Sequence, residues 1–557
     1  MVLAFFSSNS HSNACVRKQS ERQSAIDTLP PVYKTPLSSP EEKIHALSVA
    51  QLVSNCKSGD LAPSEVMLVY AKKTIAAHAT TNCVTDFMFE EALAIPSVVN
   101  WPHSMDPETS DASDLTQDRS LLGVPVSVKD TVDIAGHDTT IGYSRNVGHP
   151  ATTTSPIVRL LRDAGALVHV KTTVPTGLIA LETTSDLFGL TSNPYKKTHT
   201  AGGSTGGGAA LLACGGSKIE IGTDLGGSVR IPAHFCGIWS LKGSVGRFPS
   251  WGSVSSMPGL EGVQIVASPM AGNLADLEEF WKRVVEAKPW QYDHTARSLL
   301  LRLANVPFSW WLTRFANKDM KWLNCKDTPP DVFHGLKIAY QLLFGDGGAQ
   351  LRNWLSPHET ITKASAATLD LLALPRVVKR LMGYFARKSD PTNADLLDVL
   401  HAKSVVDVRY LVAQREAYRA AWFDKWTESG LDFVLTVPHP FPAFKNGESE
   451  KVNLMTTGFT AIFNLLDYTA GVLPVTFVDK EIDGLPADFK ASAAYASMGG
   501  VAKEAYSAYD VDGMHGLPMG VQVLGRRLEE ERVLEGMNII EDALRQQGTV
   551  FVSQVKV

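Results

Sequence analysis

The chain of 557 residues is 44% hydrophobic and 20% charged, which is ordinary for a globular protein, and it carries a formal net charge of −6. A protein that works by binding nucleic acid normally has a basic surplus, so this balance argues against that class. The six cysteines lie far apart and form no CxxC pair. They therefore predict reduced thiols rather than a zinc site or a disulfide framework.

The N-terminus begins with an apolar run, residues 1–6, that no basic residue precedes. This run is too short for a signal peptide. No apolar stretch of the sequence reaches the roughly 20 residues needed to span a bilayer. Together these features predict a cytoplasmic protein, with peripheral membrane association as the less favoured alternative.

In chain order, a polar lead-in precedes one long region of mixed pattern. Residues 1–41 are rich in Ser and Pro and predict a loosely ordered lead-in. Apolar residues recur with helical spacing from Ile44 to Ala77 and predict two helices broken at Gly59. We interpret residues 42–557 as a single domain.

Short β-rich runs then alternate with helical patterns. The predicted strands are Gly123–Val128, Leu167–Lys171, Lys218–Thr223, Leu336–Tyr340, Phe433–Val437, Leu473–Val478 and Met519–Leu524. The predicted helices between them are Ser155–Ala164, Gly206–Cys214 and Tyr410–Ser429. This alternation predicts an α/β fold around a largely buried, mixed central sheet.

Residues from about 289 to 404 depart from this alternation, because they are mostly helical in pattern, rich in Trp and basic in places. We interpret them as a cap-like insertion over the core. Within it, Leu369–Phe385 combines apolar and basic residues, and so does Leu299–Leu303 before Trp310 and Trp311. Basic amphipathic helices can lie on membranes, but such helices are more often lids that pack on a core. We therefore hypothesise that the insertion lines an apolar pocket, with membrane contact as the alternative.

The densest chemical signal is a pair of glycine-rich segments, residues 202–208 and 222–230. Glycine permits positive φ and close backbone approach, so several N–H groups can converge on one point there. Ser228 follows directly after Asp-Leu-Gly-Gly and would lie beside such donors. A nucleophile of acyl transfer needs this environment, since the oxygen of the tetrahedral intermediate must be stabilised near the attacking hydroxyl.

Glycine-rich segments also have other roles. A structural turn or a phosphate cradle is the commoner role, but neither segment has P-loop spacing or a GxGxxG fingerprint. Gly202-x-Ser204-x-Gly206 formally matches the nucleophile elbow GxSxG. That elbow needs a buried strand running into it, whereas residues 195–200 are polar and basic. The elbow interpretation therefore fails on its context.

Lys129 is the predicted base. It ends the strand-like run Gly123–Val128, whose valines alternate onto one face and leave the lysine on the other. A lysine at the buried end of a strand loses solvation, which lowers its pKa and allows it to act as a neutral base. A solvated lysine at a strand terminus is the commoner case.

Three motifs in this order resemble the amidase signature family. They are residues 124–130 (VPVSVKD), residues 202–207 (GGSTGG) and residues 222–230 (GTDLGGSVR). Further similarity lies in Asn193-Pro194, in Leu241-Lys242 with Gly246-Arg247, and in residues 516–522, so the resemblance covers about residues 44–545. Two departures are Thr205, where many members have a second serine, and Gly208, where several have an acidic residue.

The resemblance implies an amidase-signature fold, with a large mixed sheet covered by helices on both faces. It also implies a Ser–Ser–Lys amide hydrolase, with Ser228 as nucleophile, Ser204 as relay and Lys129 as base. The implied oxyanion hole is formed by backbone N–H groups, which belong to Leu225, Gly226, Gly227 and Ser228. The implied supporting residues are Gly203 in a cis peptide bond with Ser204, Thr205, Asp224 and Arg230.

The family acts on small-molecule amides without a metal or an organic cofactor, so the resemblance implies neither here. The length, the lead-in and the insertion resemble fungal acetamidases and fatty-acid amide hydrolases. Two alternatives stay open: a glutaminase subunit of a tRNA-dependent amidotransferase, and a non-catalytic scaffold of the same fold. No direct nucleic-acid contact is expected, and a homodimer is left open.

Overall fold

The computed structural model describes residues 2–99, 119–297, 322–323, 329–388, 390–452 and 454–555. Its strands are β1 Val84–Phe87, β2 Pro125–Lys129, β3 Leu167–Thr172, β4 Thr184–Ser185, β5 Gly189–Leu190, β6 Ile219–Asp224, β7 Trp239–Lys242, β8 Val266–Ala271, β9 Trp322–Leu323, β10 Phe433–Thr436, β11 Thr469–Phe477 and β12 Pro518–Gly525. The predicted Leu299–Leu303 segment, Trp310 and Trp311 lie outside the described residues.

Helices occupy most of the remaining described chain. They are α1 Val2–Asp27, α2 Ser39–Ala46, α3 Val49–Ser58, α4 Pro63–Thr81, α5 Phe89–Ala94, α6 Pro96–Val99, α7 Pro156–Asp163, α8 Gly206–Ala213, α9 Arg230–Cys236, α10 Leu274–Glu286, α11 Val332–Leu343, α12 Ala349–Trp354, α13 Lys363–Ala373, α14 Arg376–Ala386, α15 Pro391–Val399, α16 Val405–Ser429, α17 Gly458–Leu465, α18 Ala493–Ala496, α19 Gly500–Ala508, α20 Val511–Met514 and α21 Glu530–Gln546.

Ten of the described strands form one sheet in the order β1-β3-β2-β6-β8-β7-β11-β12-β10-β9. The sheet is mixed, because β2 is parallel to both β3 and β6 whereas β6, β8, β7, β11 and β12 pair antiparallel in succession. This confirms the predicted α/β fold. The parallel strands β2 and β6 lie side by side, so the residues at their carboxyl ends meet at one edge of the sheet.

Helices cover both faces of the sheet. On one face Val126, Val128 and Ile221 pack in a core with residues of α7, α10 and α21. On the other face Leu167 and Val170 pack with residues of α3, α4, α8 and α9. Each fully buried Val, Leu or Ile side chain stabilises the fold by roughly 1.5–3 kcal/mol relative to exposure, before the entropy cost of ordering it.

The described part of the predicted insertion is mostly helical, from the short 3₁₀ turn Pro289–Gln291 to α15, and it also contains the short strand β9, which pairs with β10. Leu336, Leu351 and Leu369 of this segment share a buried cluster with Trp422 of α16 and Leu465 of α17. Helix α14 instead exposes apolar side chains, including Val377, Tyr384 and Phe385. No helix among the described residues is both long enough and apolar enough to cross a membrane. Membrane contact stays a prediction.

The lead-in differs from the irregular segment that its composition predicts. Residues Val2–Asp27 form helix α1, which contacts the domain through side chains. Lys18 Nζ donates to Asp138 Oδ2 at 3.0 Å, and Arg22 Nη1 donates to the carbonyl oxygen of Val84 at 3.1 Å. These contacts join polar groups far apart in sequence, so the local composition did not show them.

One predicted strand is wrong. Leu336–Tyr340 lies inside helix α11, whose N-terminus is capped by Asp331 accepting from the backbone N–H of His334 at 3.1 Å. A short apolar run fits a buried helix as well as a strand, and the cap decides between them. The sequence did not predict six of the described strands, β1, β4, β5, β7, β8 and β9; in β8, Pro269 is a residue that strands rarely contain.

Candidate active site

Lys129 is the last residue of β2, and its side chain is fully buried. Its Nζ lies 2.8 Å from Ser204 Oγ, 3.0 Å from Thr223 Oγ1 and 3.2 Å from the Thr223 carbonyl oxygen. A neutral amine has two N–H donors and one lone pair. Thr223 offers two acceptors, and the Ser204 hydroxyl can accept from an ammonium or donate to a neutral amine, so the partners fit both protonation states.

Burial lowers the pKa of Lys129 to about 7, although the carboxylates of Asp224 and Glu220 oppose this shift. Taking an ammonium group out of water disfavours its charged form. A substantial fraction of the lysine is therefore unprotonated at neutral pH. The 2.8 Å contact places this amine within hydrogen-bond reach of the Ser204 hydroxyl, and its role as base stays a prediction.

Ser204 lies in the turn that precedes helix α8, and the peptide bond between Gly203 and Ser204 is cis. The implied cis peptide is therefore present. The serine side chain is almost completely buried between Lys129 and the cavity described below. Helix α8 can approach the sheet closely because it starts with three glycines; a Cβ at Gly207 would lie 2.4 Å from the backbone nitrogen of Thr173.

Ser228 lies in the loop between β6 and α9 and is partly exposed towards the same cavity as Ser204. The backbone N–H of Thr205 donates to the carbonyl oxygen of Ser228 at 3.1 Å. This bond joins the two glycine-rich segments directly. The structure thus brings Lys129, Ser204 and Ser228 into one site.

Asp224 and Arg230 brace the loop that carries Ser228. Arg230 donates from Nε to Asp224 Oδ2 at 3.1 Å and from Nη2 to Oδ1 at 2.9 Å, and both side chains are fully buried. The Asp224 carboxylate also accepts from the backbone N–H of Val229 at 3.2 Å. Burial alone would raise the pKa of Asp224, but the charge and hydrogen bonds of Arg230 hold it well below its ordinary value.

One of the backbone N–H groups predicted to form the oxyanion hole already has a hydrogen-bond partner. Gly227 has φ 124°, and its backbone N–H donates to Asp224 Oδ1 at 2.9 Å. That N–H is therefore engaged in holding the loop, which argues against its predicted role as an oxyanion donor. The carbonyl oxygen of Gly226 accepts from Thr460 Oγ1 at 2.6 Å, which holds the same loop from helix α17.

A cavity of about 90 Å³ opens in front of the two serines. Gly203, Ser204, Gly226 and Ser228 form its polar end. Most of the rest is apolar, with contributions from Leu178, Ile179, Leu181, Met257, Val263, Tyr340 and Leu343. Tyr340 and Leu343 belong to α11, so the predicted insertion does contribute to the pocket wall.

Sequence reasoning missed three residues of the site. Thr223 lies in a quoted motif but had no role assigned, and it holds Lys129. Gln522 also lies in a matching segment; its Oε1 accepts from Arg230 Nη1 at 2.8 Å. Asn464 has no motif around it, and its Nδ2 donates to Asp224 Oδ1 at 2.9 Å. Only the folded chain brings α17 to this carboxylate.

The described residues contain no group of three His, Cys, Asp or Glu side chains that could hold a metal ion. Buried histidines near the site bond to backbone atoms instead. His234 Nδ1 lies 2.9 Å from the backbone nitrogen of Gly520, and His439 Nδ1 lies 2.9 Å from the carbonyl oxygen of Phe441. Burial lowers the pKa of both histidines, to about 4 and about 3 respectively.

The fold is similar to that of a solved structure of a fatty acid amide hydrolase. The two superpose with a TM-score of 0.77 at 22% identity and cover 96% of each chain. A 6-aminohexanoate cyclic dimer hydrolase has a TM-score of 0.57 at 18% identity and covers 92% of this chain and 99% of the other. At these identities the similarity shows the fold.

Sequence relatives extend over nearly the whole chain. An acetamidase of Aspergillus oryzae is 30% identical over 510 residues, covering 89% of this chain and 90% of its own. Fatty-acid amide hydrolase 1 of Sus scrofa is 29% identical and covers 95% of this chain and 92% of its own. The family model described as Amidase matches residues 65–305 and 325–534. The chain belongs to the amidase family and is a hydrolase that acts on amide C–N bonds.

Proposed function

We propose that this protein cleaves carboxylic acid amides through an acyl-enzyme on Ser228, with Ser204 as proton relay and Lys129 as base. The observation that carries the proposal is the 2.8 Å contact between Lys129 Nζ and Ser204 Oγ in a fully buried setting. A buried lysine with a pKa of about 7 supplies the unprotonated amine that this route needs at neutral pH.

In the first step the Ser228 oxygen bonds to the amide carbon. Its proton passes to Ser204, and the Ser204 proton passes to Lys129, which becomes an ammonium. The tetrahedral intermediate then breaks its C–N bond while the relay runs in reverse and protonates the leaving nitrogen. Protonation matters here because an amide anion is a very poor leaving group. Water then attacks the acyl-enzyme by the same route and releases the acid.

The negative oxygen of the intermediate needs backbone donors beside Ser228. We propose the N–H groups of Leu225, Gly226 and Ser228 for this role, since that of Gly227 is held by Asp224. Donors of this kind stabilise a transition state by several kcal/mol because they are oriented before the charge develops. Asp224 and Arg230 contribute by holding the loop.

The apolar cavity favours an acyl group larger than that of acetamide. A site for one water occupies about 15 Å³ on the same scale, so the cavity of about 90 Å³ has room for roughly six waters. This volume fits the acyl part of a short aliphatic or aryl amide. The names of the relatives, acetamidase and fatty-acid amide hydrolase, bracket this range.

The first test is labelling of the intact protein with a fluorophosphonate, followed by mass measurement and mapping of the adduct. We expect one adduct on Ser228 that is lost in Ser228→Ala. Ser256→Ala is the matched control, because Ser256 also lines the cavity but donates to the Gly177 carbonyl oxygen at 2.7 Å. No adduct, or an adduct on another residue, would contradict the assignment.

The second test is a screen of primary amides with Ser228→Ala as the inactive control. We expect aryl amides, and aliphatic amides with a longer acyl chain than acetamide, to be better substrates than acetamide. A preference for acetamide would contradict the proposed acyl pocket. Glutaminase activity that appears only with a second subunit would favour the amidotransferase alternative instead.

A further inference from the structure

A second carboxyl group, that of Glu220, lies buried beneath the catalytic lysine. Glu220 is in β6 and pairs in register with Ser127 of β2, two residues before Lys129. Side chains two residues apart in a strand point to the same face, so Glu220 and Lys129 share one face of adjacent strands. Glu220 is fully buried, and the proposed proton relay does not use it.

Helix α8 leaves a space for this carboxyl group. A Cβ added to Gly208 would lie 2.3 Å from Glu220 Cδ and 2.4 Å from its Oε1. Any side chain at position 208 would therefore occupy the place of the Glu220 carboxyl group. The glutamate at position 220 therefore requires a glycine at position 208.

The hydrogen bonds of Glu220 do not account for its presence. Oε1 accepts from Thr172 Oγ1 at 2.7 Å, whereas Oε2 has no hydrogen-bond partner in the described part of the chain. The neighbouring Ser127 hydroxyl donates to the Ile219 carbonyl oxygen at 3.1 Å, and hydrogen bonding from Ser127 and Thr172 lowers the pKa of Glu220 without offsetting the effect of burial. A buried carboxyl group that is only half satisfied destabilises the fold, so a purely structural role does not explain it.

The relay provides a reason for such a group. When Lys129 accepts the Ser204 proton, an ammonium forms in a fully buried place, and a buried cation needs a nearby negative charge. Asp224 also faces the lysine, but Arg230 already pairs with it. Glu220 forms no ion pair of its own within the described residues, so its charge remains for Lys129.

We propose that Glu220 is a positioning residue of the amidase reaction, whose carboxylate stabilises the ammonium form of Lys129 during proton transfer. This inference rests on the proposed Ser228–Ser204–Lys129 relay. No proton passes to Glu220 in the step; the proton moves from Ser204 Oγ to Lys129 Nζ and returns to the leaving nitrogen. Glu220 acts through Lys129 and does not touch the substrate.

The charges around the pair set the expected pH behaviour. Burial raises the pKa of Glu220 to about 7, so it ionises in the same range as Lys129. Asp224 of β6 acts on Lys129, and Arg230 of α9 and Lys242 of β7 act in turn on Asp224. The thiol of Cys83 interacts with Glu220. Among the described residues, Glu220 and Asp224 are the groups that raise the pKa of Lys129.

The test is Glu220→Gln, which keeps the shape and removes the charge. We expect kcat to fall by about tenfold or more, as for loss of a preorganised charge near a reacting group. The acid limb of the kcat/KM profile should move to lower pH, because Lys129 loses a carboxylate that favours its protonation. KM should stay nearly constant.

A relocation experiment separates charge from packing. Glu220→Gly combined with Gly208→Glu moves the carboxyl group from the strand to the helix, into the space that the Gly208 Cβ vector addresses. We expect the double variant to recover the acid limb of the wild-type kcat/KM profile. In Glu220→Gly alone this limb should lie at lower pH than in the wild type. In Gly208→Glu alone the new side chain should clash with Glu220. If the double variant does not fold, Glu220→Gln decides by itself.

The outcomes distinguish this inference from the proposed function. An active wild-type enzyme that is labelled on Ser228, together with an unchanged pH profile in Glu220→Gln, would overturn the role of Glu220 alone. Absence of activity and of Ser228 labelling in the wild type would overturn the relay as well. A loss of kcat without movement of the acid limb would assign Glu220 to packing and also contradict the inference.

Discussion

The lowered pKa of Lys129 follows from its position in the fold rather than from its residue type. An exposed lysine has a pKa near 10.4 and is almost entirely protonated at neutral pH. At the end of β2 the same group is fully buried, and its pKa falls to about 7. Thr223 and Ser204 then supply the partners that a neutral amine can use.

The pH dependence of kcat/KM should report this lysine. Below its pKa of about 7 Lys129 is protonated and cannot accept the Ser204 proton, so activity should fall about tenfold per pH unit on the acid side. Above this pH the profile should level. The measurement is kcat/KM of a neutral amide between pH 5 and 9.

Lys129→Met should lower kcat by about 10³-fold, the usual contribution of a general base. Lys242→Met is the matched control, since Lys242 is also fully buried with a pKa lowered to about 8, but donates to the Tyr468 carbonyl oxygen. The Lys242→Met variant should retain the fall of kcat/KM at acid pH. A profile in which Lys242→Met removes the limb and Lys129→Met keeps it would refute the assignment of the base.

At the scale of elements, one carboxylate connects four parts of the fold. Asp224 at the end of β6 accepts from the loop that carries Ser228, from Arg230 of α9 and from Asn464 of α17. Arg230 extends the network to Gln522 of β12. The loop conformation that presents Ser228 therefore depends on elements from distant parts of the chain.

Asp224→Asn should destabilise the protein by about 3–5 kcal/mol, because it leaves the buried Arg230 without its counter-ion. The depressed pKa of Asp224 gives a stabilising contribution that is complete above about pH 5 and is lost as the pH falls towards the folded pKa. The wild type and Asp224→Asn should therefore differ most near neutral pH and converge in acid. Urea unfolding at a series of pH values measures this difference.

Asp542→Asn provides the control for this comparison. Asp542 pairs with Arg545, and both side chains are 62% exposed. Exposed pairs contribute little, so this change should alter stability by less than about 0.5 kcal/mol. Equal effects of the two substitutions would show that the buried network does not hold the loop.

At the scale of the whole molecule, the substrate cavity lies between the sheet edge and the helical insertion. The sheet supplies the reactive groups at the carboxyl ends of β2 and β6, and α11 supplies Tyr340 and Leu343 on the opposite wall. The candidate catalytic residues and part of the apolar wall thus come from different parts of the fold.

Leu343→Trp should shrink the acyl pocket and lower kcat/KM for aryl amides relative to acetamide by at least about tenfold. The neighbouring Leu342→Met is the control, since Leu342 packs in the buried cluster and does not line the cavity. The ratio of kcat/KM values for the two amides measures the effect independently of enzyme concentration. An unchanged ratio in Leu343→Trp would exclude α11 as the wall of the acyl pocket.

Much of the fold followed from periodicity in the sequence. The predicted strands at Gly123–Val128, Leu167–Lys171 and Lys218–Thr223 are confirmed within two residues as β2, β3 and β6. The predicted strand Leu336–Tyr340 is wrong, since a segment of five mostly apolar residues does not distinguish a buried strand from a helix. Helix α1 was missed because its contacts involve partners more than 60 residues away.

The sequence by itself determined the family and predicted the three candidate catalytic residues and the Asp224–Arg230 pair, because these depend on motifs whose order and spacing are read along the chain. Only the tertiary structure decided which groups surround them. It showed that Gly227 N–H is held by Asp224, that Asn464 and Thr223 belong to the site, and that Glu220 lies beneath Lys129. The physical reason is that burial and charge act through space, and strand pairing and helix packing join residues that no local pattern connects.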